Sequence, residues 1–167
     1  KELGDIQSIV SYVDTALFMN AIHMIDLILF LAGDFNNVYG KIDRVNEIRV
    51  VDGKDDPGAF IYISHKNNIS SIIKATGASR RNHYFEIDIQ CSNGRIRMLD
   101  DGKKYEIYKF KECSDKTWLS MLDLEKTVIN NFSNERMLNA YNNIADAIKS
   151  NTPLNSSGYS AVKSIEL

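Results

Sequence analysis

The sequence predicts an α+β domain, with a large, predominantly antiparallel sheet and helices packed on one face of it. Three observations carry this expectation. A β-branched segment at 6–13 runs directly into an apolar helix that ends near Ala32. From residue 35 to about 111 the pattern changes to short strands separated by turn residues. Two amphipathic helical segments then close the chain. Strands and helices are therefore segregated along the sequence, as in α+β folds, and do not alternate as in parallel α/β folds.

The elements follow in order. Ile6–Val13 has strand composition. Asp14 or Thr15 can cap the helix after it by accepting from its free N–H groups. Leu17, Phe18, Ile22, Ile25, Ile28, Leu29 and Ala32 form a wide stripe at helical spacing, which calls for burial against a sheet or a neighbouring domain. Gly33 suits the left-handed position that ends such a helix. Val38–Val51 holds one long strand, or two broken near Asp43, and 52–58 is a loop by composition. Phe60–Ser64 and Ile69–Thr76 flank a hairpin turn at Lys66–Asn68. In Tyr84–Cys91, Phe85, Ile87, Ile89 and Cys91 alternate with Tyr84, Glu86, Asp88 and Gln90, the mark of a half-buried antiparallel strand. Asn93-Gly94 and Asp101-Gly102 read as type I′ turns joining 84–91, 95–99 and 104–110 into a meander. Residues 112–132 read as irregular around Trp118. Asn134–Ser150 is an amphipathic helix with Met137, Leu138, Tyr141, Ile144, Ala145 and Ile148 on one face. Ser156 or Ser157 can cap a final helix running to Leu167.

Composition narrows the function. The 167 residues suffice for a single domain, 1–167, with a core, and 44% hydrophobic with 25% charged residues is ordinary for a globular chain. A net charge of −2 with the signs mixed does not suit a nucleic-acid surface. Cys91 and Cys113 lack metal-ligand spacing and fit a reducing cytoplasm. The apolar run Ile22–Ala32 is too short to cross a membrane and carries two titratable groups. No Gly-x-Gly-x-x-Gly and no Gly-x-x-x-x-Gly-Lys occurs, so no dinucleotide- or nucleotide-binding loop is expected within these residues. The chain opens at Lys1 without Met and reads as part of a longer protein. The sheet face away from the helices should mix Tyr, Arg, Lys and Glu with Ile and Leu, which suits a subunit interface and a homodimer or tetramer.

The densest chemical signal is Asn20–Asp34, where His23 and Asp26 interrupt an apolar helix. Titratable groups in such a setting need a partner or a purpose. An imidazole with an ordinary pKa of ~6.5 suits proton transfer near neutral pH. Asp26, three residues on, is within reach across one helical turn and could orient the ring. The competing reading is a satisfied core histidine, with Asp26 bonded to backbone. Asn20 could bond a substrate hydroxyl or simply face solvent. Arg80, Arg81 and His83, ahead of a strand, could hold a phosphate or carboxylate, or form a solvated loop. His65, beside Lys66 in a hairpin, reads as surface. Asp55-Asp56 reads as a turn or cap pair, since no further ligand spacing supports a metal.

His23-Met-Ile-Asp26-Leu27 with Phe30-Leu-Ala-Gly-Asp34, then Asp55-Asp56 before Ala59–Ser64, the turn at Asn67-Asn68, Phe85–Gln90 leading into Ser92–Ile96, and the closing helix Tyr141–Ile148 together resemble the C-terminal domain of the glucose–fructose oxidoreductase / inositol dehydrogenase / MocA family. The resemblance runs in order over nearly the whole chain. It implies an upstream Rossmann domain that holds NAD or NADP and contributes a lysine from a Glu-Lys-Pro motif. It further implies that His23 faces the nicotinamide and moves the proton of a substrate hydroxyl, and that this part alone binds no cofactor. Two positions depart from the pattern. Met19 stands where many members carry Asp or Asn, and Asp14-Thr15-Ala16 stands where a Gly-Gly pair is usual.

Two functions follow as expectations. One is the substrate-binding and oligomerisation half of an NAD(P)-dependent oxidoreductase acting on a sugar, cyclitol or related polyhydroxy compound. His23 would be catalytic there, Asn20, Asp26, Arg80, Arg81 and His83 substrate-binding, and no metal would be held. The other is a non-catalytic ligand-binding or assembly module on the same fold, which Met19 favours.

Overall fold

The computed structural model describes residues 2–14, 17–43, 49–76, 84–130 and 135–167. Its strands are β1 (Ile6–Val13), β2 (Phe35–Asp43), β3 (Arg49–Val51), β4 (Lys54–Asp56), β5 (Gly58–His65), β6 (Ser70–Ala75), β7 (Phe85–Cys91), β8 (Gly94–Leu99), β9 (Lys104–Cys113) and β10 (Lys116–Ile129). The helices are α1 (Ile22–Ala32), extended at its start by a π-turn over Leu17–Ala21, then α2 (Glu135–Ser150) and α3 (Gly158–Glu166). Eight strands form one sheet in the order β10-β9-β8-β7-β1-β6-β5-β2, and β3 and β4 make a separate ribbon. The pairing of β1 with β6 is parallel and every other pairing in the sheet is antiparallel. The α+β class and the predominantly antiparallel sheet are as the sequence predicts.

The register turns the two-residue alternation into two different faces. On one face Val38, Ile63, Ser71, Ile9, Ile89, Ile96 and Ile107 stand opposite one another from β2 to β9. Of these, Ile9, Ile63, Ser71 and Ile89 are buried. The next row on the other face is Tyr39, Tyr62, Ile72, Val10, Asp88, Arg97 and Glu106. There Asp88 accepts from Arg95 Nε at 2.7 Å, Glu106 accepts from Lys104 Nζ at 2.6 Å and from the Tyr108 hydroxyl at 2.8 Å, and Arg97 lies 3.3 Å from Glu106. Hydrogen bonds from Lys104 and Tyr108 hold the Glu106 carboxyl below its ordinary range, and Asp88 raises the Arg95 guanidinium.

Helix α1 covers the apolar face. Ala21, Met24, Ile25, Ile28 and Ala32 are buried at helical spacing, while Phe30 on the opposite side is 76% exposed. Both helix ends are tied to distant strands. At the start, Leu17 N–H donates to the Pro57 carbonyl at 3.0 Å and Phe18 N–H to Asp56 Oδ1 at 2.8 Å. At the end, Gly33 takes φ +78° and donates to the Leu29 carbonyl at 2.8 Å, and Asn67 Nδ2 donates to the Ala32 carbonyl at 2.8 Å. Asp56 thus performs the capping role expected of its pair, from a strand remote in sequence. Thr15 lies outside the described residues.

Four local expectations are corrected. His65 is not on the surface: it is 1% exposed, because β5 carries it inward two residues after Ile63. Its Nδ1 lies 2.9 Å from the Gly33 carbonyl and its Nε2 2.8 Å from Ser71 Oγ. A carbonyl only accepts, so Nδ1–H donates, and Nε2 is left to accept from the Ser71 hydroxyl. Residues 116–129 are not irregular but form β10, paired with β9, with a register shift between Leu124 and Lys126 that hides the alternation. The Asn93-Gly94 turn is not type I′. Cys91 pairs with Gly94 across Ser92-Asn93, and neither Asn93 nor Gly94 has a positive φ. Gly94 is needed for space, since a Cβ there would meet the Tyr108 carbonyl oxygen at 2.3 Å. The second turn also differs: Asp100, Asp101 and Gly102 all have positive φ.

Helix α3 packs on α1, with Ser157 as its cap in a reciprocal pair with Ser160. On α2 the apolar side chains Met137, Leu138, Tyr141, Ile144 and Ile148 remain between 49% and 80% exposed. Among the described residues no helix is long and apolar enough to cross a membrane, and Cys91 and Cys113 are free thiols.

His65→Ala would remove both ring hydrogen bonds and leave a hole between α1 and the β5–β6 hairpin. The expected loss is about 2–4 kcal/mol, read from urea unfolding at neutral pH. Ser71→Ala, which removes one partner and little volume, should cost about 1 kcal/mol.

Candidate active site at the helix histidine

Packing alone decides what faces outward from α1. With Met24, Ile25, Ile28 and Ala32 turned to the sheet, His23 emerges on the exposed side with Phe30. It has no hydrogen-bond or ion-pair partner among the described residues. It opens onto a cleft of about 540 Å³ walled by Asp26, Leu27, Leu29, Phe30 and Asp34 from α1 and its C-terminal turn. The opposite wall is the last part of the chain: Asn155, Ser156, Ser157, Tyr159, Ser160 and Lys163.

Two polar links hold these walls together. Asp26 Oδ1 accepts from Ser164 Oγ at 3.1 Å. Asp34 is paired with Lys163 and, at 3.4 Å, with Lys66. The hydrogen bond from Lys163 is the chief reason that the Asp34 carboxyl lies below its ordinary value of 3.8. Asp26 is therefore engaged with α3 and not with His23. It lines the cleft and fastens its far wall, but it does not orient the imidazole. A buried serine bonded to a half-buried aspartate explains that titratable group without a ligand; His23 is left without such an explanation.

The other residues singled out from sequence separate. Asn20 falls in the π-turn and does not line the His23 cleft. A π-turn is wider than an α-turn, so counting three residues back from His23 does not place Asn20 beside it. Met19 is 43% exposed and lines a different cleft, beside Asp52, Lys54, Asp55 and Asp56. Arg80, Arg81 and His83 lie outside the described residues. Sequence reasoning missed Tyr159, Ser160 and Lys163. The final helix and its serine cap were legible, but no local pattern indicates that residues near 160 stand beside residues near 30.

Among the described residues the cleft offers one unpaired imidazole, hydroxyls from Ser156 and Tyr159, and one lysine already neutralised by a carboxylate. An exposed imidazole beside a hollow can exchange a proton with a hydroxyl-bearing molecule. None of the described residues lining the cleft can accept a hydride.

Residues 10–97 match the family model described as the GFO/IDH/MocA C-terminal domain, and the chain belongs to this family. Solved structures share the fold. An oxidoreductase from Agrobacterium radiobacter in complex with NAD+, L-tartaric acid and magnesium aligns at TM-score 0.68 and 17% identity, over 98% of this chain and 52% of that one. The WlbA dehydrogenase from Bordetella pertussis, in complex with NADH and UDP-GlcNAcA, aligns at TM-score 0.66 and 14% identity, over 98% and 50%. The UDP-N-acetylglucosamine 3-dehydrogenase GnnA from Acidithiobacillus ferrooxidans aligns at TM-score 0.67 and 13% identity, over 98% and 52%. This chain thus spans about half the length of each. Comparison with curated proteins gives no match.

The pairing of Asp34 with Lys163 makes the cleft acid-sensitive. A carboxyl whose folded pKa is depressed contributes stability above its unfolded value and loses it as pH falls through the folded one. Amide protection in α3 should hold from neutral pH down to about 3.8 and fall below it. Lys163→Ala should lower α3 protection already at neutral pH and flatten that acid-dependent drop. Hydrogen exchange across the pH range reads both.

Proposed function

We propose that this chain is the substrate-binding and oligomerisation domain, 1–167, of an NAD(P)-dependent oxidoreductase. The reaction moves a hydride between a sugar, cyclitol or related polyhydroxy substrate and the nicotinamide, and His23 carries the hydroxyl proton. One observation carries the reading: in a chain of this family, the imidazole on α1 has no partner among the described residues and opens onto a cleft. Family membership supports the reaction class. The molecules bound in two structural relatives, L-tartaric acid and UDP-GlcNAcA, are hydroxylated and support the substrate class.

The chain's own residues do limited work. The imidazole of His23 takes the proton as the carbon–oxygen double bond forms and returns it in the reverse direction. Ser156 and Tyr159 present donors and acceptors to further hydroxyls, while the Ser160 hydroxyl is held by Ser157 in the cap of α3. Asp26 and Lys163 keep α3 against α1 and so keep the cleft shaped. The nicotinamide supplies the hydride acceptor when bound, and the glycine-rich turn that would hold it is expected in an upstream Rossmann domain. The open walls of the cleft, with Phe30 76% and Tyr159 86% exposed, suit a surface that such a domain covers.

Assembly through the sheet face opposite α1 belongs to the same proposal. Tyr12, Tyr39, Phe60 and Tyr62 are each 39% or more exposed there, beside a charged network already internally paired. A mixed aromatic and polar surface of this kind suits a symmetric interface. The free thiols Cys91 and Cys113 support a cytoplasmic site of action.

A second reading keeps the fold and drops the chemistry, as a ligand-binding or assembly module. It is favoured by Met19, a thioether where a carboxylate or amide is usual, and by the engagement of Asp26 with Ser164.

In the full-length protein, His23→Ala should cut turnover by roughly 10²–10⁴ while leaving cofactor affinity and melting temperature unchanged. Unaltered turnover would favour the module. Tyr39→Glu with Tyr62→Glu should convert the oligomer to monomers in sedimentation velocity without loss of helix or strand signal.

A further inference from the structure

The cleft beside His23 carries two aromatic rings that its proton chemistry does not use. Phe30, on the outer side of α1, is 76% exposed, and Tyr159, in the first turn of α3, is 86% exposed. Exposure alone does not set them apart, since Tyr39 and Trp118 are bare to a similar degree. Position does. The two rings come from opposite walls and line the same hollow of about 540 Å³ as the imidazole. The core has no need of either, because α1 closes it with Met24, Ile25, Ile28 and Ala32.

The rest of the lining says what such rings can hold. Leu27 and Leu29 add hydrocarbon, and Asn155, Ser156 and the Tyr159 hydroxyl add donors and acceptors. Aromatic walls with a few polar groups select a molecule that has both an apolar face and a polar edge. An open-chain polyol offers no lasting face, because its hydroxyls turn to all sides as the carbon chain rotates. A saturated ring with equatorial hydroxyls does offer one. Its axial C–H bonds stand on the two faces, where they meet the negative face of an aromatic ring, and its hydroxyls project from the rim.

We propose that the cleft takes its substrate as a closed ring, a pyranose or a cyclitol, with the C–H faces against Phe30 and Tyr159 and a rim hydroxyl at His23. This rests on the reading of the cleft as a substrate site, and it narrows that reading from polyhydroxy compounds at large to cyclic ones. Phe30 and Tyr159 then determine specificity and move no proton.

The test is ligand-observed saturation-transfer NMR on the full-length protein without nucleotide. Methyl β-D-glucopyranoside and myo-inositol are the ring probes, and D-glucitol is the open-chain control. Saturation should reach the ring C–H protons of a probe and be weak for D-glucitol at the same concentration. Phe30→Leu and Tyr159→Leu should each weaken ring binding roughly three- to tenfold. Tyr159→Phe, which keeps the ring, should restore most of the loss. Both side chains are exposed, so melting temperatures should not move. Equal affinity for D-glucitol, unchanged affinity in both leucine variants, or no saturation of either ring probe would each overturn the proposal. Turnover separates it from the reading beneath it. A fully active His23→Ala enzyme removes the oxidoreductase reading whatever the rings do. An inactive one, in a protein whose sugar binding ignores the leucine substitutions, removes the ring assignment alone.

Discussion

The orientation of α1 about its own axis is the constraint on which the rest depends. Burying a large aliphatic side chain contributes roughly 1.5–3 kcal/mol, and α1 buries Met24, Ile25 and Ile28 against the sheet, with Ala32 closing the row. A turn of one residue about the axis would present His23, Met24, Leu27 and Leu31 in their place, with an unpartnered imidazole in hydrocarbon. A surface ion pair, worth about 0–1 kcal/mol, does not approach that penalty. His23 therefore faces outward because of what the residues next to it must do, and its availability for chemistry follows from core packing.

Axial orientation would mean little if the helix could slide. Its ends prevent this, and both use groups far away in sequence. Asp56 and Pro57 take the first N–H groups, and Asn67, with His65 against the Gly33 carbonyl, closes the last turn. These contacts all come from residues 56–67, so one segment grips the helix at both termini. The π-turn lies at the end gripped by Asp56. There the extra residue per turn lets Phe18 reach the ribbon while Ala21 remains in the core.

Legibility in the sequence tracked how local the determining physics is. The meander strands, Gly33 at the end of α1 and the serine cap of α3 depend on a few consecutive residues, and all were readable. His65 was readable in principle, since Ile61, Ile63 and His65 alternate, but the adjacent Lys66 suggested a solvated turn. β10 was obscured by the register shift after Leu124, which swaps faces halfway along the strand. In the candidate site, the sequence left His23 between a core and a cleft position because apolar residues nearly surround it, and the burial of Met24 and Ile25 decides for the exposed side. The engagement of Asp26 was not readable, because Ser164 lies far along the chain and is brought close only when α3 docks. Asn20 failed for a third reason: the helical period changes just before His23, and propensities do not announce a π-turn.

The polar groups of α1 and of the turn that ends it can then be sorted by subtraction. Asp26 is accounted for by Ser164 and Asp34 by Lys163 and Lys66, so both belong to the docking of α3. Of these groups, His23 alone has no partner among the described residues. The same docking builds the second wall of its cleft, so the residues that hold α3 control the shape of the hollow without touching a reacting atom. Substitutions at Asp26 or Lys163 should act by loosening that wall, and their effects should grow with the size of the bound molecule. The effect of His23 should not depend on size, because a proton is moved at one nitrogen whatever fills the remaining space.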